Sequence, residues 1–180
     1  MSLTHIDKKG NVNMVDVGDK EISERVAIAY GRIKLSEKVI SLIKEDGLKK
    51  GNVLEIAKVG GIFGAKNTSN IIPLTHPIPI EKIAIEFFVE ENLIHCFSFA
   101  KTHYKTGIEM EAIFSVLSAL STVYDMVKAE ERGAIIESVT LLYKSGGKSG
   151  TFLNNSNLDF EIKKGENNSF IFKGKTIFIF

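Results

Sequence analysis

Apolar and polar positions along the chain fall into a short series of regular patterns. Residues 25–34 roughly alternate, with Val26, Ile28 and Tyr30 on one side, which predicts a strand. Ser36 is placed to cap a helix running to about Asp46, with Val39, Ile40, Leu42 and Ile43 as its apolar face and Gly47 as its stop. Asn52, followed three residues later by Glu55, opens a second helix that carries Leu54, Ile56, Ala57, Val59 and Ile62 toward about Asn67. Gly60 and Gly64 lie four apart within it, a spacing that permits a close approach by a neighbouring backbone. Ile83 to Val89 and Leu93 to Lys101 alternate as two strands around the turn Glu90-Glu-Asn92. A third helix is predicted from about Ile108 to Arg132, and Ala134 to Lys144 reads as a further strand.

The order β-α-α-β-β-α-β predicts an α+β fold: a ferredoxin-like antiparallel sheet with helices packed on one face. Residues 1–22, polar and rich in turn formers, read as a mobile N-terminal arm; 23–150 read as one catalytic domain; 151–180 read as a C-terminal extension. In that extension Phe170 to Phe180 alternates around Gly174 and reads as a β-hairpin. Left open, such an aromatic edge invites aggregation, so it is expected to be covered or paired with another chain.

The third helix sets the chemical question. Between Ala112 and Val127 its only charged residue is Asp125. So apolar a helix is expected to be buried nearly all round, and a buried carboxylate is costly unless paired or used. Glu109 and Glu111 sit at its start, where the helix dipole tolerates negative charge. Asp125 and Lys128, at i and i+3, form either a surface ion pair or, if desolvated, an acid and base that tune each other; the uncharged turns before them favour the second. Glu111 and Asp125 are fourteen residues apart, about 21 Å along a straight helix, so one subunit cannot hold both in a small-molecule site unless the helix breaks, whereas a two-fold pairing of subunits brings Glu111 of one chain toward Asp125 of another.

Other candidates are weaker. The three prolines, at 73, 77 and 79, stiffen the loop Ile71 to Pro79 and present His76 on a rigid segment. The four histidines, His5, His76, His95 and His103, show no ligand spacing, and His95 and His103, on or near a strand, read as structural or exposed. Gly147-Lys-Ser149 resembles the end of a phosphate-binding P-loop, but position 142 is Leu where that motif needs Gly. The loop Lys144 to Gly150 is then either an anion cradle of backbone N–H groups, helped by Lys144 and Lys148, or a solvated basic turn.

Composition narrows the classes. A length of 180 residues with 44% hydrophobic and 25% charged residues fits one globular domain. The net charge of +1 leaves no footprint for nucleic acid. The single cysteine, Cys96, excludes an internal disulfide and a multi-cysteine metal site, which suits a reducing cytoplasmic setting. The N-terminus has no signal-peptide pattern, and the apolar run 112–127 is short for a bilayer, so no membrane partner is expected.

Several segments together resemble one family, the molybdenum cofactor biosynthesis protein C (MoaC) family of cyclic pyranopterin monophosphate synthases. They are Leu3-Thr-His-Ile-Asp7, Met14-Val-Asp-Val17, Lys50-Gly-Asn-Val53, Ala65-Lys66, Ile72-Pro-Leu-Thr-His-Pro77, Lys105-Thr-Gly-Ile-Glu-Met-Glu-Ala112, Tyr124-Asp-Met-Val-Lys-Ala129 and Leu142-Tyr-Lys-Ser-Gly-Gly-Lys-Ser-Gly150. The resemblance covers about residues 3–150. It implies a ferredoxin-like subunit in a hexamer built as a trimer of dimers, with sites at dimer interfaces. It implies a lyase acting in molybdenum cofactor biosynthesis, functionally linked to an upstream radical enzyme that makes 3',8-cyclo-7,8-dihydro-GTP. That compound would be converted to cyclic pyranopterin monophosphate with release of pyrophosphate.

By the same resemblance Leu74, Thr75, His76, Met110 and Glu111 fall at substrate-binding positions, and Asp125 at the catalytic one. Lys50, Glu109, Lys128 and Lys144 match further functional positions, Lys128 as a partner of Asp125 in proton transfer. No step of that reaction needs a redox cofactor, and the sequence shows no metal cage; a divalent ion carried in by the triphosphate stays open. Thr75 stands where the family commonly has Cys, and Asn67 where a basic residue is common. The alternative is a non-catalytic nucleotide-sensing or assembly module on the same fold.

Overall fold

A computed structural model of the chain describes residues 9–154, 162–164 and 169–178. It contains β1 (Ser23–Lys34), α1 (Glu37–Lys44), α2 (Val53–Ile71), β2 (Lys82–Val89), β3 (Leu93–Tyr104), α3 (Glu109–Val127), β4 (Ile135–Ser145), β5 (Phe152–Leu153), β6 (Ile162–Lys164), β7 (Phe170–Phe172) and β8 (Lys175–Phe178). The main sheet runs β2-β3-β1-β4-β5, every neighbouring pair antiparallel. With the helices on one face, this is the α+β, ferredoxin-like arrangement expected from the element order.

Strand alternation builds two cores. Ala27, Ala29 and Ile33 of β1, with Ile94, Cys96 and Ala100 of β3, face the helices. Val26, Ile28 and Tyr30, with Phe97 and Phe99, face the other way. A register shift in β4 between the partners of Ile28 and Ala29 inserts Leu142, so Leu142 and Tyr143 both join the second core. The buried thiol of Cys96 is raised well above its ordinary range by desolvation.

Small residues set the distances between layers. A side chain at Gly60 would strike Thr122, one at Gly61 would strike Ile85 and the Ser115 carbonyl, and one at Gly64 would strike Ser118. The expected close approach at Gly60 and Gly64 is therefore real, and α3 is the neighbour that uses it. Gly31 of β1 lies under the same helix, where a Cβ would stand 2.7 Å from Val116 Cγ1 and 2.8 Å from the Ser138 carbonyl. Gly31→Ala is expected to destabilise the chain by about 1–3 kcal/mol, the usual cost of overpacking, measured by denaturant unfolding.

Two expectations change. α3 ends at Val127 rather than near Arg132. Glu131 instead accepts from the backbone N–H and hydroxyl of Ser36, both at 2.8 Å, which ties this turn to the start of α1. Nor is α3 buried all round: β1 and β3 cover one side and α2 another, while Leu117, Ser121, Asp125 and Lys128 remain exposed. By length and composition α3 would suffice to cross a membrane, but half of that apolar stretch is buried inside the protein. The N-terminal arm also has a structural part: the Lys105 ammonium donates to the Gly18 carbonyl. Residues 1–8, with His5 and the Leu3–Asp7 motif, lie outside the described residues.

β7 and β8 pair antiparallel as a hairpin. Lys173 and Gly174 take positive φ, 48° and 76°, as a two-residue primed turn requires. Phe170, Phe172 and Ile177 are buried in the second core, where each contributes on the order of 1.5–3 kcal/mol. The expected cover for this aromatic strand is thus the chain's own main sheet.

Candidate active site

Two charged clusters stand out, and α3 links them. The first lines a cavity of about 950 Å³ where the start of β1, the end of β4 and the start of α3 meet. Lys144 pairs with Glu109 at 3.1 Å and donates to the Ser149 hydroxyl at 2.8 Å. Arg25, Lys105 and Lys148 add positive charge to the same wall, and Asp19 to Ser23 close one side. Part of the polar arm is therefore cavity wall.

Gly146 and Gly147 both have positive φ, 100° and 71°. A side chain at Gly147 would collide with the Arg25 guanidinium, so the glycine loop lies directly on that cation. The residues after this loop do not form the helix a P-loop needs: Phe152–Leu153 are a short strand paired with β4. Of the two readings of the loop, its place over Arg25 on a concave basic wall favours the anion cradle.

The second cluster sits at the other end of α3. Lys128 Nζ lies 2.6 Å from Asp125 Oδ1, and Lys50 Nζ lies 3.2 Å from Oδ2 and 2.6 Å from the Asp125 carbonyl. The two lysines, Lys128 first, hold the Asp125 carboxyl below its usual range, and Asp125 in turn raises Lys128. The expectation of a desolvated pair is not met within one chain: the Asp125 side chain is 59% exposed and that of Lys128 53%. The stretch that brings them there is as apolar as expected, but Asp125 and Lys128 lie on its exposed stripe while Val123, Met126 and Val127 of the same turns are buried.

The buried carboxylate is Glu111, 3% exposed. Glu109 and Glu111 are two residues apart on a helix and so point to different sides. One meets Lys144 in the cavity and the other enters the core. Desolvation lifts Glu111 to about 7; Glu109 pushes the same way and a local backbone hydrogen bond opposes it. The unfolded chain gives up this proton near the ordinary 4.5, the folded chain near 7, so stability falls as pH rises between them. Glu111→Gln is expected to be more stable than the parent at pH 8 by about 2–3 kcal/mol and nearly equal to it at pH 4, read from denaturant melts at both pH values.

Among the described residues, the remaining candidates make no hydrogen bond or salt bridge to either ion-paired cluster. Leu74, Thr75 and His76 occupy the connection from α2 to β2, all half-buried, with the Thr75 hydroxyl donating to the Ile72 carbonyl at 2.9 Å. The His76 ring makes no hydrogen bond to another described residue. Met110 is half-buried in the first turn of α3. None of these lines the cavity around Lys144. Glu109 and Asp125 are sixteen residues apart on α3, about 24 Å along its axis, so one chain keeps the two clusters separate.

His95 is buried, 2.9 Å from the Tyr30 hydroxyl, and His103 is exposed beside Glu81, both away from the clusters. Among the described residues no three His, Cys, Asp or Glu side chains converge as metal ligands would. Sequence reasoning missed Arg25 as a site residue; the only signal is a cation directly before the apolar run 26–30 of β1.

Fold and site together define a class: an α+β protein whose concave basic wall and exposed Asp–Lys cluster suit an anionic small molecule. Residues 14–147 match the MoaC family, and the chain belongs to that family. Curated relatives named cyclic pyranopterin monophosphate synthase agree. The one from Peptoclostridium acidaminophilum is 47% identical over 152 residues, 84% of this chain and 97% of the relative. That from Clostridium perfringens is 48% identical over 152 residues, covering 83% and 96%. That from Helicobacter pylori is 46% identical over 155 residues, covering 84% and 98%.

Proposed function

We propose that this chain is a cyclic pyranopterin monophosphate synthase of molybdenum cofactor biosynthesis, a lyase that converts 3',8-cyclo-7,8-dihydro-GTP to cyclic pyranopterin monophosphate and pyrophosphate. The observation that carries this is identity of 46–48% across nearly the whole length of relatives bearing that name. The geometry supplies a role for each cluster. Arg25, Lys105, Lys144 and Lys148, with the glycine loop, take the triphosphate and stabilise the charge that leaves as pyrophosphate. Asp125, held ionised, accepts a proton during rearrangement of the base ring, and Lys128, held protonated, returns one. Lys50 fixes the Asp125 carboxylate. Leu74, Thr75, His76, Met110, Glu109 and Glu111 complete the substrate contacts in this reading.

The substrate is too small to reach across about 24 Å of helix, so the site is completed between two copies of the chain. An apolar stripe supports such pairing: Ile56, Val59 and Phe63 of α2 and Leu117 of α3 are exposed on the helix layer. A hexamer of three dimers, working in the cytoplasm downstream of the radical enzyme that forms the substrate, follows from the same reading.

The test is to supply purified protein with 3',8-cyclo-7,8-dihydro-GTP and assay pterin product and pyrophosphate. Both are expected, in equal amounts. Tight binding without turnover would replace this proposal with the nucleotide-sensing module, which no observation now favours.

A further inference from the structure

The family match ends at residue 147, before the C-terminal hairpin, and 152 matched residues already take up 97% of the Peptoclostridium relative. Without the hairpin the second face of the sheet would show Val26, Ile28, Tyr30, Phe97, Phe99, Leu142 and Tyr143 as one apolar patch. Soluble monomers rarely expose contiguous patches of that kind.

The contact between hairpin and sheet has the anatomy of a protein interface, with an aromatic centre and a charged rim. Phe172 is 1% exposed and its ring centroid lies 4.9 Å from Phe97, 5.2 Å from His95 and 5.5 Å from Phe88. Phe170 meets Tyr143 edge to face at 4.9 Å. At the rim Lys173 pairs with Glu90, which also reaches His95 Nε2 at 3.3 Å, and Lys175 stands over the Phe88 ring. Glu90 thus joins a buried residue of the sheet to the turn of the hairpin.

We propose that the second face of the main sheet is a docking surface for an aromatic β-hairpin, that residues 169–178 fill it from the same chain, and that this occupant keeps a second copy of the chain off the face. Copies then meet through the helix layer. So short a piece of sheet with one apolar side has little stability of its own, so it holds its shape by docking. Covalent attachment keeps its effective concentration high enough to outcompete another molecule.

The experiment uses the full chain with a protease site built between Asn154 and Ile162, cut after purification. The hairpin fragment is expected to co-elute with the body at micromolar concentration. Phe172→Asp in the same cut protein is expected to release the fragment, and the body should then bind a hydrophobic dye and rise in mass by light scattering; Phe172→Leu should retain it. Release of the fragment from the unsubstituted protein overturns the proposal. So does release from Phe172→Asp with no gain in dye binding or mass. If Phe172→Asp is insoluble, hydrogen exchange on the uncut parent decides: amides of Phe170–Phe172 protected like those of β1 support docking, and fast exchange there overturns it.

Discussion

Asp125→Asn is expected to lower turnover by about 10²- to 10⁴-fold, the range typical for loss of a general acid or base. The thermal midpoint should barely move. The carboxylate is exposed in the single chain and lies near the end of α3, where the helix dipole disfavours negative charge. Two lysines offset that disfavour: Lys128 Nζ at 2.6 Å and Lys50 Nζ at 3.2 Å. A group so placed does little for the fold, since solvent screens an exposed pair.

Its value in the proposed reaction is chemical. A carboxylate held below its ordinary range stays ionised throughout the neutral region, and a raised Lys128 stays protonated beside it. Asn keeps the shape and the side-chain oxygen but cannot take a proton. Single-turnover rates with saturating substrate, together with melting curves, check this. A variant within three-fold of the parent rate would remove Asp125 from the proton-transfer role. The pH profile adds a sign: because the Asp125 pKa is depressed, loss of the base cannot explain an acid limb that begins above pH 5.

Much of the fold can be read from periodicity, because strands and helices state which face they bury. β1 and β3 carry a further signal. Their apolar positions fall on both faces: Ala27, Ala29, Ile94 and Cys96 on one, Ile28, Tyr30, Phe97 and Phe99 on the other. A strand apolar on both sides needs two covering layers. The helices account for one. The alternating Phe170 and Phe172 around Gly174 are the other, although periodicity alone does not say where a hairpin docks.

The residue types of the candidate site were legible in the sequence, their environment less so. Asp125 sits in an apolar run, which suggested burial, but a run cannot reveal that one stripe of the helix lacks a neighbour within the chain. Glu109 and Glu111 looked alike in sequence; their two-residue offset sends one to Lys144 and the other into the core. Arg25 escaped notice because the glycine loop that clasps it is more than a hundred residues away in sequence.

Mixing two inactive variants is expected to restore activity if the site is shared. Lys144→Ala removes a cation that pairs with Glu109 on the cavity wall, and Asp125→Asn removes the proposed proton acceptor, about 24 Å from Glu109 along α3. In a two-fold dimer with one site at each junction, a mixed dimer has one junction carrying both defects and one carrying neither. Random reassortment gives one mixed dimer in two, so roughly a quarter of all junctions become intact. Activity should therefore return from near zero to roughly a quarter of the parent value after joint unfolding and refolding of the two variants. Double mutation within one chain, mixed with parent, sets the control: there the mixed dimer has two half-defective junctions, and activity should fall to about a quarter rather than one half. Mass spectrometry of the intact assemblies confirms that mixed species have formed. If they form and no activity returns, the shared site is overturned, and one chain completes its own site only if α3 breaks between the two clusters.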